Sequence, residues 1–136
     1  MKSLKLLLIF SIISSCFLLF HITSGDSGDL VISRQGGPNN EYKSLQIELN
    51  SGYYINQNGK TGKMTMEDAK KLEDLVDSDE FKNMDPTTFH DSSNKPWKTT
   101  YKITVVSKKI GIVFDITANY PKSLDPFVTI FEKYSV

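Results

Sequence analysis

The only cysteine of the chain, Cys16, lies inside the apolar run of residues 6–20, LLLIFSIISSCFLLF, directly behind Lys2 and Lys5. At 15 residues the run is shorter than the roughly 20 that cross a bilayer as a stable helix. A basic start, an apolar core and a small polar stretch, Thr23-Ser24-Gly25-Asp26, together have the form of a secretory signal peptide cleaved near Ser24 or Gly25. Two other readings of the run stand beside it. One is an uncleaved anchor. The other is a lipoprotein leader, because Ile13-Ser14-Ser15-Cys16 loosely resembles a lipobox, although Phe17 to Phe20 continue the apolar core past the cysteine. The expected organisation is a signal peptide over residues 1–25 and one secreted domain over residues 26–136. That domain has no thiol, so it must fold by burying a core without disulfides, which a domain of this size can do.

Charge narrows the function classes. The whole chain has 16 basic and 16 acidic residues, and losing Lys2 and Lys5 leaves the remainder with a net charge of −2. Nucleic-acid binding draws on a basic stripe, and attraction to anionic lipid on a basic cluster. Neither is expected here, so the partner list holds no nucleic acid and no membrane after signal cleavage. No Asn-x-Ser/Thr acceptor occurs.

The hydrophobic pattern predicts the elements. Leu30-Val31-Ile32 is a strand candidate, and Gly36-Gly37-Pro38-Asn39-Asn40 a turn. Leu45, Ile47 and Leu49 alternate with Ser44, Gln46 and Glu48, the period-2 pattern of a half-buried strand pairing with the first. Tyr53-Tyr54-Ile55 is a third short strand candidate, and Asn56 to Lys63 a loop. Thr65 can cap a helix that carries Glu67 and Asp68 in its first turn, with Ala69, Leu72, Leu75 and Val76 at helical spacing, so a helix is expected over Met66–Asp77. Phe81 and Met84 tuck under its end. A turn-rich stretch over residues 85–98 follows.

Tyr101, Ile103 and Val105, then Ile110, Ile112, Phe114 and Ile116, form the clearest hairpin pattern. Pro126 suits the first turn of a last helix whose stripe is Leu124, Phe127, Val128, Phe131 and Tyr134. The expected fold is α+β: an antiparallel sheet of about four to five strands with two helices packed on one face, in the order β-β-α-β-β-α. Thr100, Lys102, Thr104 and Lys109 fall on the open face.

Little in the residues supports catalysis or metal binding. His90 is the one histidine after the leader, and a zinc site needs three or four ligands. Asp77, Asp79, Glu80 and Asp85 lack the spacing and central glycine of a calcium loop and suit a solvated helix end. Asp115 points to the polar face of its strand. A small hydrolase built on Asp115 or His90 is the weakest reading, because no serine has a nucleophile context and no deep cleft is expected. Tyr53, Tyr54, Trp97 and Tyr101 suit core packing or ordinary exposure more than a sugar platform. No catalytic residue, metal ligand or cofactor is assigned. The segment from Ser33 to Asn40 stands out instead, since glycines let backbone approach a partner closely and a turn on a rigid sheet is a natural contact element.

These segments together resemble the emfourin family, protein inhibitors of thermolysin-like zinc metallopeptidases of the protealysin type. The resemblance rests on Ser33-Arg34-Gln35-Gly36-Gly37 ending an early strand and on the alternating leucines after it. It continues through the run from Glu67 to Asp77 leading to Asp79-Glu80-Phe81, then Tyr101-Lys102-Ile103-Thr104-Val105, and Pro121-Lys122-Ser123-Leu124-Asp125-Pro126-Phe127. It spans residues 30–134. The chain departs from the family pattern in its leader and in longer segments over 50–63 and 85–98. The resemblance implies a monomeric inhibitor without a cofactor of its own, whose partner is an extracellular metallopeptidase. Arg34, Gln35, Gly36, Gly37, Pro38, Asn39 and Asn40 would enter the partner's substrate cleft. The alternative is a secreted, non-catalytic binding or adhesion module of the same fold, with the Tyr53-Tyr54 strand and the Trp97 loop as its surface.

Overall fold

The computed structural model describes residues 29–136, so the leader lies outside the described residues. Seven strands form one sheet: β1 Leu30–Gly36, β2 Glu41–Ile47, β3 Tyr53–Asn56, β4 Thr61–Lys63, β5 Thr88–Phe89, β6 Thr99–Val105 and β7 Ile110–Asp115. Their spatial order is β4-β3-β2-β1-β6-β7-β5. Among the described residues three helices accompany them, α1 Met66–Asp77, α2 Asp79–Asn83 and α3 Asp125–Tyr134, the last entered through a 3-10 turn, Lys122–Leu124.

The α+β class is as expected, but the sheet has more strands, and it is mixed. β5 runs parallel to β7, with Thr88 opposite Val113 and Phe89 opposite Phe114, whereas every other pair is antiparallel. The two unexpected strands, β4 and β5, have three and two residues. Such segments carry no readable alternation; they are strands because a neighbour's free edge supplies their hydrogen bonds. The extra helix, α2, arises at Ser78. Its hydroxyl donates to the Leu75 carbonyl (2.7 Å), closing α1, and accepts from the Phe81 N–H (3.2 Å), opening α2.

β1 sits at the centre, flanked by β2 (Ile32 opposite Leu45) and β6 (Ile32 opposite Ile103). The inner face, with Leu30, Ile32, Leu45, Ile47, Ile103, Ile112 and Phe114, is sealed by Leu72, Val76, Phe81, Leu124, Phe127 and Phe131 from the helical side. Burying each such side chain contributes about 1.5–3 kcal/mol, which is how a domain without disulfides offsets its chain entropy. Thr65 caps α1 by accepting from the Asp68 N–H (3.2 Å), with Leu72 and Val76 buried one turn apart. Asp68 also ties α1 to α3, accepting from Lys133 Nζ (2.7 Å) and the Tyr134 hydroxyl (2.6 Å). The opposite sheet face has no helix over it among the described residues.

Candidate functional site: the turn between the two central strands

β1 and β2 stay paired to their ends, Gly36 opposite Glu41, so the connection is Gly37-Pro38-Asn39-Asn40. The expected contact segment, residues 34–40, therefore divides into two. Arg34, Gln35 and Gly36 belong to β1, and only the last four residues form the turn. Gly36 has φ +115°, Gly37 +80° and Asn40 +47°. Glycine and asparagine tolerate this left-handed region best. The Asn40 N–H donates to the Gly37 carbonyl (3.1 Å) and closes the turn, leaving Pro38, Asn39 and Asn40 exposed.

Arg34 does not join them. Its alternation along β1 turns it to the helical side, where Nη1 meets Glu132 Oε1 of α3 at 2.5 Å and Nη2 lies 3.8 Å from Glu41 Oε2. The Tyr101 hydroxyl donates to the same Glu132 oxygen at 2.6 Å. Burial opposes the Arg34 charge, but its bonding to Tyr101 and Glu132 outweighs this and raises its pKa further. Burial, reinforced by Glu132, pushes Tyr101 up to about 12. Arg34 is thus a strut between sheet and helix. Gln35 is exposed on the open face.

The turn is held from behind by the segment that enters β6. The Lys98 carbonyl accepts from the Gly37 N–H at 3.3 Å and fills the space a Cβ on Gly36 would need. That segment is itself pinned. Asp115, at the end of β7, accepts from the Thr100 hydroxyl (2.7 Å) and the Asp91 N–H (2.8 Å). Asp91 accepts from the Thr117 hydroxyl and the Ser93 N–H, and Lys98 Nζ donates to the Asp91 carbonyl. Burial raises the Asp115 pKa, but its two hydrogen bonds, with His90 and Lys98 nearby, outweigh burial and hold it below the ordinary carboxylate value. The bonds from Thr117 and Ser93 hold Asp91 well below that value.

Asp115 lies on the polar face, as its alternation predicts, yet its side chain is 5 % exposed because residues 90–98 fold across it. His90 Nδ1 comes to 3.6 Å from Asp115 Oδ2 with the ring 73 % exposed. Among the described residues Ser93 Oγ has no hydrogen-bond partner, so these residues make no nucleophile–base–acid relay in this geometry. Asp77 pairs with Lys108, Glu80 accepts from Ser123, and Asp85 accepts from the Gly111 N–H, so three of the clustered acids serve the fold. Among the described residues no three His, Cys, Asp or Glu side chains converge on a point where an ion would sit. The aromatic residues disperse as well. Tyr101 is buried and Tyr54 packs on Tyr134 at 5.2 Å, while Tyr53 and Trp97 are exposed at opposite ends of the sheet.

Between the turn and the open face lies a shallow depression of about 420 Å³, lined among others by Ser33, Gln35, Asn40, Tyr42, Lys98 and Lys102. Neither it nor the backing by residues 90–98 is expected from the sequence. The one available signal was a lone carboxylate, Asp115, ending a strand whose neighbour carries Thr100. Comparison of the chain with protein-family models, curated proteins and solved structures finds no match.

Proposed function

We propose that this chain is a secreted, non-catalytic inhibitor of a thermolysin-like zinc metallopeptidase, blocking the enzyme's substrate cleft stoichiometrically with the turn after β1. The observation that carries the reading is the turn's construction. It projects from the two central strands, exposes Pro38, Asn39 and Asn40, and is bonded from behind through Gly37 to Lys98. A contact element fixed before binding loses little ordering entropy, and this favours tight complexes. The zinc would be the enzyme's. Arg34, bonded to Glu132, supports the turn from within the domain, and the wall contacts fall to Pro38, Asn39 and Asn40.

The test is expression of the full chain with its own leader, recovery of the protein from the medium, and titration against a panel of thermolysin-like metallopeptidases. Loss of activity at near-equimolar protein supports the reading, with Pro38→Ala/Asn39→Ala weakening inhibition and leaving the fold intact. Retention in the cells speaks against secretion, and absence of inhibition by folded protein against the inhibitor. The second reading, a secreted adhesion module, then takes over. It draws on the uncovered sheet face, where Tyr53 and Ile55 are exposed on β3.

A further inference from the structure

Two of the largest exposed aromatic side chains flank the turn. Trp97, 62 % exposed, directly precedes the Lys98 carbonyl that backs Gly37. Tyr42, 59 % exposed, lies just beyond the turn on β2 and lines the depression. Tryptophan and tyrosine bury large area at low entropic cost and are enriched among the residues that dominate interface energy. The segment that carries Trp97 is held by the Asp91 and Asp115 hydrogen bonds, so its backbone is placed along with the turn.

The depression has a sign. Lys98 and Lys102 both line it, and no carboxylate does. Lys98 Nζ is bonded to the Asp91 carbonyl and lies near the Asp91 and Asp115 carboxylates, which offset its charge, whereas Lys102 makes no ion pair among the described residues. The unpaired Lys102 beside a polar floor of Ser33, Gln35 and Asn40 suits a carboxylate, with Tyr42 lining the same depression.

We infer that the inhibitory surface is composite: the turn enters the cleft, Trp97 packs on the cleft rim beside it, and the depression receives an acidic side chain of the peptidase opposite Lys102. This rests on the inhibitor reading above and adds the chemistry of the partner's rim, an apolar patch next to a carboxylate.

The test uses a peptidase that the parent protein inhibits. Trp97→Ala should weaken inhibition roughly thirty-fold, the scale of truncating a dominant interface tryptophan. Its urea midpoint should stay at the parent's value. Lys102→Ala should slow association and flatten its dependence on ionic strength, and Lys102→Glu should do so more strongly. Because Trp97 is the only tryptophan, a 5-fluorotryptophan label reports on it alone, and its fluorine resonance should move and lose its solvent-isotope shift on complex formation. If the parent inhibits while Trp97→Ala and Lys102→Glu inhibit equally well, or the fluorine signal does not move, the composite surface is wrong and the turn acts alone. If the parent inhibits no member of the panel, the inhibitor reading fails and this inference falls with it.

Discussion

The carbonyl oxygen of Lys98 occupies the space that any side chain on Gly36 would need. The two residues are far apart in sequence and adjacent only because β6 pairs with β1 up to Thr99 opposite Gly36. At this point the sheet backs the exposed turn directly, through the Gly37 N–H bonded to the Lys98 carbonyl. Gly37, one residue further, has open space around its Cα, with Thr99 Oγ1 the nearest atom a Cβ would meet, at 3.8 Å.

The contrast predicts unequal costs. Gly37→Ala meets only the strain of φ +80°, on the order of 1 kcal/mol. Gly36→Ala adds overlap with a backbone atom that cannot swing away, and should cost about 3 kcal/mol or more. Urea denaturation of the two variants gives the difference directly. Equal midpoints would mean that Lys98 does not abut Gly36 in solution.

Arg34, Glu132 and Tyr101 form a half-buried unit joining β1, α3 and β6. Removing Arg34 leaves Glu132 and the Tyr101 hydroxyl without their cationic neighbour, and Arg34→Ala should destabilise by about 1–3 kcal/mol, discounted for the partial exposure of Glu132. Tyr101→Phe should cost about 1 kcal/mol. In a double-mutant cycle Arg34→Ala and Glu132→Ala should be coupled rather than additive. Tyr101→Phe should also reduce the component of the alkaline tyrosinate absorbance that appears only near pH 12, leaving the part due to Tyr120. For a group whose folded pKa is raised, the stabilisation holds below its unfolded value, about 10, and is lost as pH rises through the folded one.

β7 is protected at its outer edge by a side chain. The Asp85 carboxylate accepts the Gly111 N–H (2.8 Å), where β5 is too short to reach. Asp85→Ala should cost about 1–2 kcal/mol and leave an unpaired strand edge that promotes self-association. Asp85→Asn keeps an acceptor and should preserve most of both properties. Urea midpoints together with light scattering at rising concentration separate the three proteins.

The elements that the sequence makes legible are those whose information is local. Alternation at Leu45 and Ile47 and at Tyr101, Ile103 and Val105 marks half-buried strands, and Thr65 with Glu67 and Asp68 marks a helix start that the structure reproduces at Met66. What is illegible is set by partners distant in sequence. Arg34 reads as a loop contact until Glu132, 98 residues away, turns out to hold it. Thr88–Phe89 becomes a strand only because β7 lies beside it. The turn is visible from its glycines, but the residues that hold it, Lys98, Asp91 and Asp115, are selected by the pairing of β1 with β6 and of β6 with β7.

That arrangement carries a pH dependence. Asp115 and Asp91 both have pKa values below those of free carboxylates. The unfolded chain therefore takes up protons first as pH falls, and the stabilisation, complete above about pH 4, is lost as pH drops through the folded values. Asp115→Asn keeps the shape and removes the charge-assisted bonds from Thr100 and the Asp91 N–H. It should cost about 2 kcal/mol at pH 7. The gap between parent and variant should narrow below about pH 4, as the parent's Asp115 also becomes neutral. Thr100→Val, which removes one of the two bonds, brings the folded Asp115 pKa nearer its unfolded value, so the acid loss should begin at the same pH but be smaller and complete at a higher pH. Urea midpoints between pH 2.5 and 7 measure all three proteins. A parent-to-variant gap that stays constant across that range would show that Asp115 is not held as a carboxylate, and that residues 90–98 owe their position to packing alone.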